Sequence, residues 1–301
     1  METHVIFAKA AKDALGGGLP GAAAMAAQVT SLMWLRTIVN YQYRYGGTMS
    51  TAARALYAQG GIRRFYAGYP AAIFQAPLSR FGDTAANAGV MSLLNSLTAT
   101  QNWPLPLKTA CASLCAGAIR IVLMPIDTLK TVMQVEGSQR GWRVLREKMQ
   151  QPRGAGGGVG VLFHGALGAS AATFAGHYPW FLTYNFLNAH LPQAGTSHRM
   201  THTPHFALVR AAFIGFCASI VSDSISNSMR VVKTTKQTSA VPISYTEALG
   251  LVLAKDGWRG VMGRGLKTKL LSNGVQGLMF SVLWKIGQDH YRAREAEVQE
   301  H

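Results

Sequence analysis

The sequence is short of charge, of acid and of cysteine. Only 14% of its 301 residues are Asp, Glu, Lys or Arg, and 13 acids face 29 bases. An ordinary soluble domain carries roughly 25% charged residues. Three cysteines, Cys111, Cys115 and Cys217, are too few for a disulfide scaffold and show no CxxC spacing. The 32 glycines follow no Gly-X-Y period, which excludes collagen. No Ser/His/Asp set, carboxylate dyad or metal-ligating cluster stands out, so no enzyme, cofactor or metal is expected. Gly154–Gly160 lacks the Gly-Lys-Ser/Thr ending of a phosphate loop and reads as a link. The opening METHVIFAKAAKDALGGG has no long apolar core, so no secretory signal is expected.

What the chain does have is apolar length. Hydrophobic residues make up 49%, too many for disorder. Charge is absent from 45 consecutive residues between Arg153 and Arg199, from 24 between Asp83 and Lys108, and from 22 between Asp13 and Arg36. A bilayer span needs about 20 mostly apolar residues. These runs are rich in Gly, Ala, Ser and Thr, which let membrane helices approach closely. Arg80, Asp83, Arg120, Asp127, Lys130, Arg230 and Lys233 punctuate the spans. An ionisable residue within a span belongs on the bundle interior. Half-polar helices around a polar centre are therefore expected.

The chain also repeats itself. Pro125, Asp127, Lys130, Thr131 and Gln134 form one segment; Ser228, Arg230, Lys233, Thr234 and Gln237 form another; Ser31, Met33, Arg36, Thr37 and Asn40 form a third. Each has a base, then Thr, then an amide four residues after the base. The bases lie 94 and 103 residues apart. A basic stretch and a glycine follow each, and Gly68, Gly165 and Gly263 lie 97 and 98 residues apart. Two markers with one period indicate three tandem units.

On these residues the chain resembles the mitochondrial carrier family. The family's mark is Pro-x-Asp/Glu-x-x-Lys/Arg, a linker, acidic-Gly and aromatic-basic-Gly, three times over. The resemblance implies an all-α membrane protein with six transmembrane helices in three repeats (about 14–97, 106–190 and 206–292), a pseudo-threefold bundle forming one domain over 1–301. The expected spans are 14–41, 70–97, 106–135, 165–190, 206–236 and 265–292, with short matrix helices near 48–58, 139–150 and 244–255. Loops after the odd spans hold 12 bases, and those after spans two and four hold one, Arg199. The positive-inside rule places the basic loops on the inner side, here the matrix, and both termini in the intermembrane space of the mitochondrial inner membrane. The basic loops are expected at an anionic lipid surface, with cardiolipin at the matrix helices. No basic run with interleaved aromatics or groove-binding motif appears, so no nucleic-acid partner is expected.

The resemblance assigns a matrix-side gate to Arg36, Asp127, Lys130, Arg230 and Lys233, in which the acid of one repeat bonds the base of the next. Pro125 is expected to kink its helix. Met33 and Arg230 stand where two of the acids would be, so one ordinary pair is expected, Asp127 with Lys233. Arg36, Lys130 and Arg230 are left with no obvious acid. Solute contacts in the family fall seven or eight residues past the glycine, at Gln75/Ala76, Ala172/Thr173 and Leu270/Leu271. A helical turn further are Arg80, His177 and Gln276. Asp83, which shares a face with Arg80, and Arg120 complete the candidate cavity. The opposite, intermembrane-side gate would comprise Tyr184, Asn185, Asn188, Lys285 and Gln288. Arg264 and Lys267, in the run Gly263-Arg264-Gly265-Leu266-Lys267-Thr268-Lys269, read as functional residues or as interfacial anchors. The basic excess points to transport of a small anionic metabolite. The incomplete gates point to an alternative, an accessory subunit of a membrane complex.

Overall fold

The computed structural model describes residues 26–152, 157–192, 204–277 and 279, with no strand among them. Helix α1 covers 26–45. There follow α2 Met49–Phe65, α3 Tyr69–Ser96, α4 Leu105–Val122, α5 Met124–Glu136, α6 Ser138–Gln150, α7 Ala166–His190, α8 Pro204–Thr238 and α9 Tyr245–Gly263. Helix α10 covers 266–277. Among the described residues, Leu105–Val122, Val159–His190 and Val209–Thr238 are long and apolar enough to cross a membrane. Residues 14–25, most of 278–292, Lys285, Gln288 and part of Gly154–Gly160 lie outside the described residues.

The bundle is polar inside and apolar outside. Gln75, Thr131, Gln134, Asp223, Thr234 and Ser272 are buried, whereas Phe74 (68% exposed), Leu167 (70%) and Val122 (75%) face outward. In lipid this costs little, because the outer side chains match the acyl chains and the inner ones satisfy each other. Close approach is set by glycine. A Cβ on Gly82 of α3 would meet Ile119 of α4 at 2.6 Å, and one on Gly117 of α4 would meet Ser170 of α7 at 2.6 Å. Small buried apolar groups join the rest: Val29 and Met33 of α1 pack on Ala72 and Ala76 of α3. Val39 and Tyr43 pack with Val231 of α8 and with Val252 and Val261 of α9.

The expected span 106–135 is two helices. The chain breaks at Leu123, where α4 ends and α5 begins. The cause is Pro125, whose ring and missing N–H prevent continuous helical bonding. The expected matrix helices begin at α2, α6 and α9. Thr48 caps α2, and Ser244 with Glu247 forms a reciprocal capping box on α9. α2 and α9 reach further than expected, each across an interruption, at Gly61 (φ 59°, ψ −148°) and Gly257 (φ 61°, ψ −161°).

Those two glycines define the register. Gly158 has the same conformation (φ 77°, ψ −169°) in the middle third. Only glycine holds this region without strain. Seven residues on, Gly68 (φ 79°) and Gly165 (φ 93°) start α3 and α7 in the left-handed region. In the last third the left-handed glycine is Gly265 (φ 69°), eight residues past Gly257. The periodic marker is thus Gly265 rather than Gly263, which lies within α9. The third linker is one residue longer than the other two, and Gly263 lies two residues before the true marker.

Each left-handed glycine rests on a different long helix. A Cβ on Gly68 would meet Lys130 O of α5 at 3.1 Å; on Gly165, Gln237 Cγ of α8 at 2.8 Å; on Gly265, Val39 O of α1 at 3.2 Å. The carbonyl three residues before each accepts a bond from the preceding long helical segment. Thr37 donates to Phe65 O (2.7 Å), Thr128 to Leu162 O (2.7 Å) and Asn227 to Met262 O (2.8 Å).

Candidate functional site

Seven helices surround a central cavity of about 480 Å³. Its walls carry Arg36 and Asn40 from α1, Gln75, Arg80 and Asp83 from α3, Arg120 from α4, and Asp127 and Lys130 from α5. Ala172 and Thr173 from α7, Asp223, Arg230 and Lys233 from α8, and Lys269 and Ser272 from α10 complete it. Seven lining residues are basic and three acidic.

The acids are shared. Asp127 accepts from Lys233 Nζ at 2.6 Å on Oδ2 and from Lys130 Nζ at 2.8 Å on Oδ1. Lys130 also donates to Gln75 Oε1 at 2.9 Å. One carboxylate therefore ties α5 to α8 and, through Lys130, to α3. Asp223 pairs with Arg230 at 2.8 Å and accepts from Asn273 Nδ2. Asn273 in turn accepts from Lys269 at 3.1 Å. Asp83 pairs with Arg120 at 2.6 Å. These pairs differ from the sequence expectation in three ways. Lys130 has an acid, on its own helix. Arg230 also has one, two turns earlier on α8. Asp83 bonds α4 through Arg120, a pair the sequence did not single out.

Correcting the third glycine moves the third contact position. Seven and eight residues past Gly265 lie Ser272 and Asn273, in the register of Gln75/Ala76 and Ala172/Thr173. Leu271, which the count from Gly263 selected, is 50% exposed. The same register, four past the glycine, brings Lys269 to the cavity beside Ala72 and Ala169. Sequence reasoning missed Lys269, Ser272 and Asn273 for that reason alone. Gln276 accepts from Arg36 Nη2 at 3.2 Å and donates to Ser272 Oγ at 3.0 Å.

Of the residues expected at the other gate, Tyr184, Asn185 and Asn188 are among those described. Tyr184 stacks on Trp180 with ring centroids 5.1 Å apart, and Asn185 is exposed. His177 packs edge-on to Phe181. Asn188 Oδ1 accepts from Arg210 Nη1 at 2.8 Å; Arg210 also donates to the carbonyls of Asn188, Leu191 and Pro192. Lys108, near the start of α4, likewise donates to Asn95 Oδ1 and Gln101 O past α3. A cation at a helix C-terminus satisfies orphan carbonyls and opposes the helix dipole. The same device recurs at the opposite end. Arg64 donates to Gln134 O and Val135 O of α5, Arg264 to Arg44 O of α1, and Lys148 to Gln237 O of α8. Arg264 also pairs with Asp256 at 2.7 Å. Tyr45 OH donates to Glu136 Oε1 at 2.5 Å; burial first, and then that carboxylate, push the phenol up to about 12.

A bundle with an apolar exterior, apolar spans and a central polar cavity defines the class: a helical membrane protein of the transporter type. Residues 102–195 match the family model for mitochondrial carrier protein. Over that stretch, about a third of its length, the chain is similar to the mitochondrial carrier family, whose members are transporters rather than enzymes. No curated protein matches the chain.

Proposed function

We propose that the chain is a divergent carrier that moves a small anionic solute through the central cavity by alternating access. The observation that carries this reading is the cavity's seven bases against three aspartates. Such a surplus in a low-dielectric site attracts an anion and resists a cation. We read the protein as six spans in three repeats within one domain. The three glycine pairs, 61/68, 158/165 and 257/265, support this reading. The end holding α2, α6 and α9 is assigned to the matrix and both termini to the intermembrane space, in keeping with the bases there. Trp142 and Trp258, both exposed on these helices, suit a membrane interface, with cardiolipin as the lipid partner. Asp127 and Lys233 are the surviving inter-repeat link of the matrix gate. Uptake of labelled carboxylates and phosphates into liposomes holding purified protein tests the reading. Exchange above that of empty liposomes is expected. No exchange across the panel, with a known carrier active in parallel, would overturn it.

A second reading is an accessory subunit that no longer transports. Its motive is that Met33 and Arg230 occupy two acid positions of the gate. Stable co-migration with a larger complex on blue-native gels, together with absent transport, supports it; migration only at monomer size opposes it.

A further inference from the structure

The ring of gate residues lacks an acid where Arg36 needs one. Asp127, three residues before Lys130, reaches forward to Lys233 of the next third. By the same relation the residue three before Lys233 would serve Arg36, but it is Arg230, which pairs with Asp223. Arg36 is left with the neutral Gln276 Oε1 at 3.2 Å, and Lys269 with the neutral Asn273 Oδ1 at 3.1 Å. Among the described residues neither has a carboxylate in contact. Lys269 lines the cavity with Arg36 and Lys130; Asp223, which Arg230 already holds, attracts it, while Arg230, Arg36 and Lys130 repel it. Ser272, also on the wall, accepts from Gln276 and keeps its own proton to donate.

We propose that one compact anionic group, a phosphate or a carboxylate, binds between Arg36 and Lys269 and stands in for the missing acid of the ring. The guanidinium of Arg36 offers a fork to two anion oxygens, and Lys269 adds a point charge. Gln276 and Asn273 give up bonds in which only the donor is charged, weaker than the bonds between two charged partners that replace them. The gate then draws together when the anion is present, and the bound solute itself supplies the closing charge. The inference rests on the carrier reading, yet the site can be measured without transport.

The probe is inorganic phosphate added to the purified full-length protein in detergent, with chloride at equal ionic strength as control. Phosphate is expected to raise the melting midpoint and chloride not to. In R36Q and in K269Q the phosphate needed for half the shift rises about tenfold, the effect of one lost charge-assisted bond. R140Q, on the outer face of α6, leaves it unchanged. R230E places a carboxylate next to Arg36 and is expected to abolish the phosphate response. A lipid headgroup as the source is distinguished by adding cardiolipin to delipidated protein: loss of the phosphate shift on its addition assigns the site to lipid and overturns the solute assignment. Equal shifts in wild type, R36Q and K269Q, or no shift in wild type, overturn the site. An intact phosphate shift without liposome transport sinks only the transport reading. Transport with an unaltered K269Q response sinks only this inference.

Discussion

Asp127 Oδ2 lies 2.6 Å from Lys233 Nζ, joining α5 to α8 across 106 residues of sequence. The same carboxylate holds Lys130, so one acid offsets two partly buried cations. Removing one partner from a buried ion pair costs about 3–5 kcal/mol, because the other is left uncompensated. D127N is therefore expected to destabilise strongly. K233M leaves Asp127 paired with Lys130 and is expected to cost less than half as much. Melting midpoints of the two variants in one detergent check the order; equal losses would show that Asp127 is not the shared acid.

Gly263 and Gly265 separate two registers of the third repeat. Gly265 sits at φ 69°, and an added Cβ would meet Tyr43 Cε1 at 2.8 Å. Gly263 has open space around it. G265A is expected to cost at least about 2 kcal/mol, from a left-handed backbone and a clash. G263A should be near neutral. Equilibrium unfolding of both variants decides which glycine carries the repeat.

Much of the bundle was legible in the sequence because membrane physics leaves strong marks. Runs without charge marked the long helices, and expected starts such as 70, 165 and 206 fall within two residues of α3, α7 and α8. Pro125 marked the break between α4 and α5. Asp127 with Lys233 was legible because acid and base stand at matched places in two repeats. The Arg230–Asp223 pair was not, since it replaces a repeat contact with one inside α8. Lys269 and Ser272 were hidden because Gly263 lies two residues before Gly265: two positions rotate a helix by about 200° and exchange the cavity face for the outer face. The roles of Lys108 and Arg210 were hidden because a base at a span's edge reads the same whether it meets water or caps a helix.

Arg210 donates four hydrogen bonds to the end of α7 and the segment after it. Hydrogen bonds from a charged donor are worth about 1.5–3 kcal/mol each and do not add fully. R210A is expected to lose about 2–3 kcal/mol, and R210K to recover only part, since Lys lacks the fork. Hydrogen exchange should rise locally at 187–192 in R210A. Unchanged exchange there would remove the capping role.

Lys148 supplies a pH test outside the spans. Its side chain is fully buried on α6, and Nζ donates to Gln237 O at 3.2 Å. Burial, and then the positive charges of Arg44 and Lys236, lower its pKa to about 8, with Glu136 opposing. The sign follows from proton counting. Below pH 8 the amine is charged in both folded and unfolded chains, and the burial cost is present in full. Between pH 8 and the ordinary lysine value of 10.5, the unfolded chain holds a proton that the folded chain has released. Stability therefore rises with pH across that window, by up to about 3 kcal/mol from this group. K148M removes the titrating amine and the bond to Gln237 together, so its absolute stability is a poor measure. The difference between wild type and K148M is the useful one. The wild-type midpoint should gain on that of K148M between pH 8 and pH 10 and run parallel to it between pH 6 and pH 7. Parallel curves across the whole range would mean that Lys148 keeps its proton and that its burial is fully offset by the α8 carbonyl.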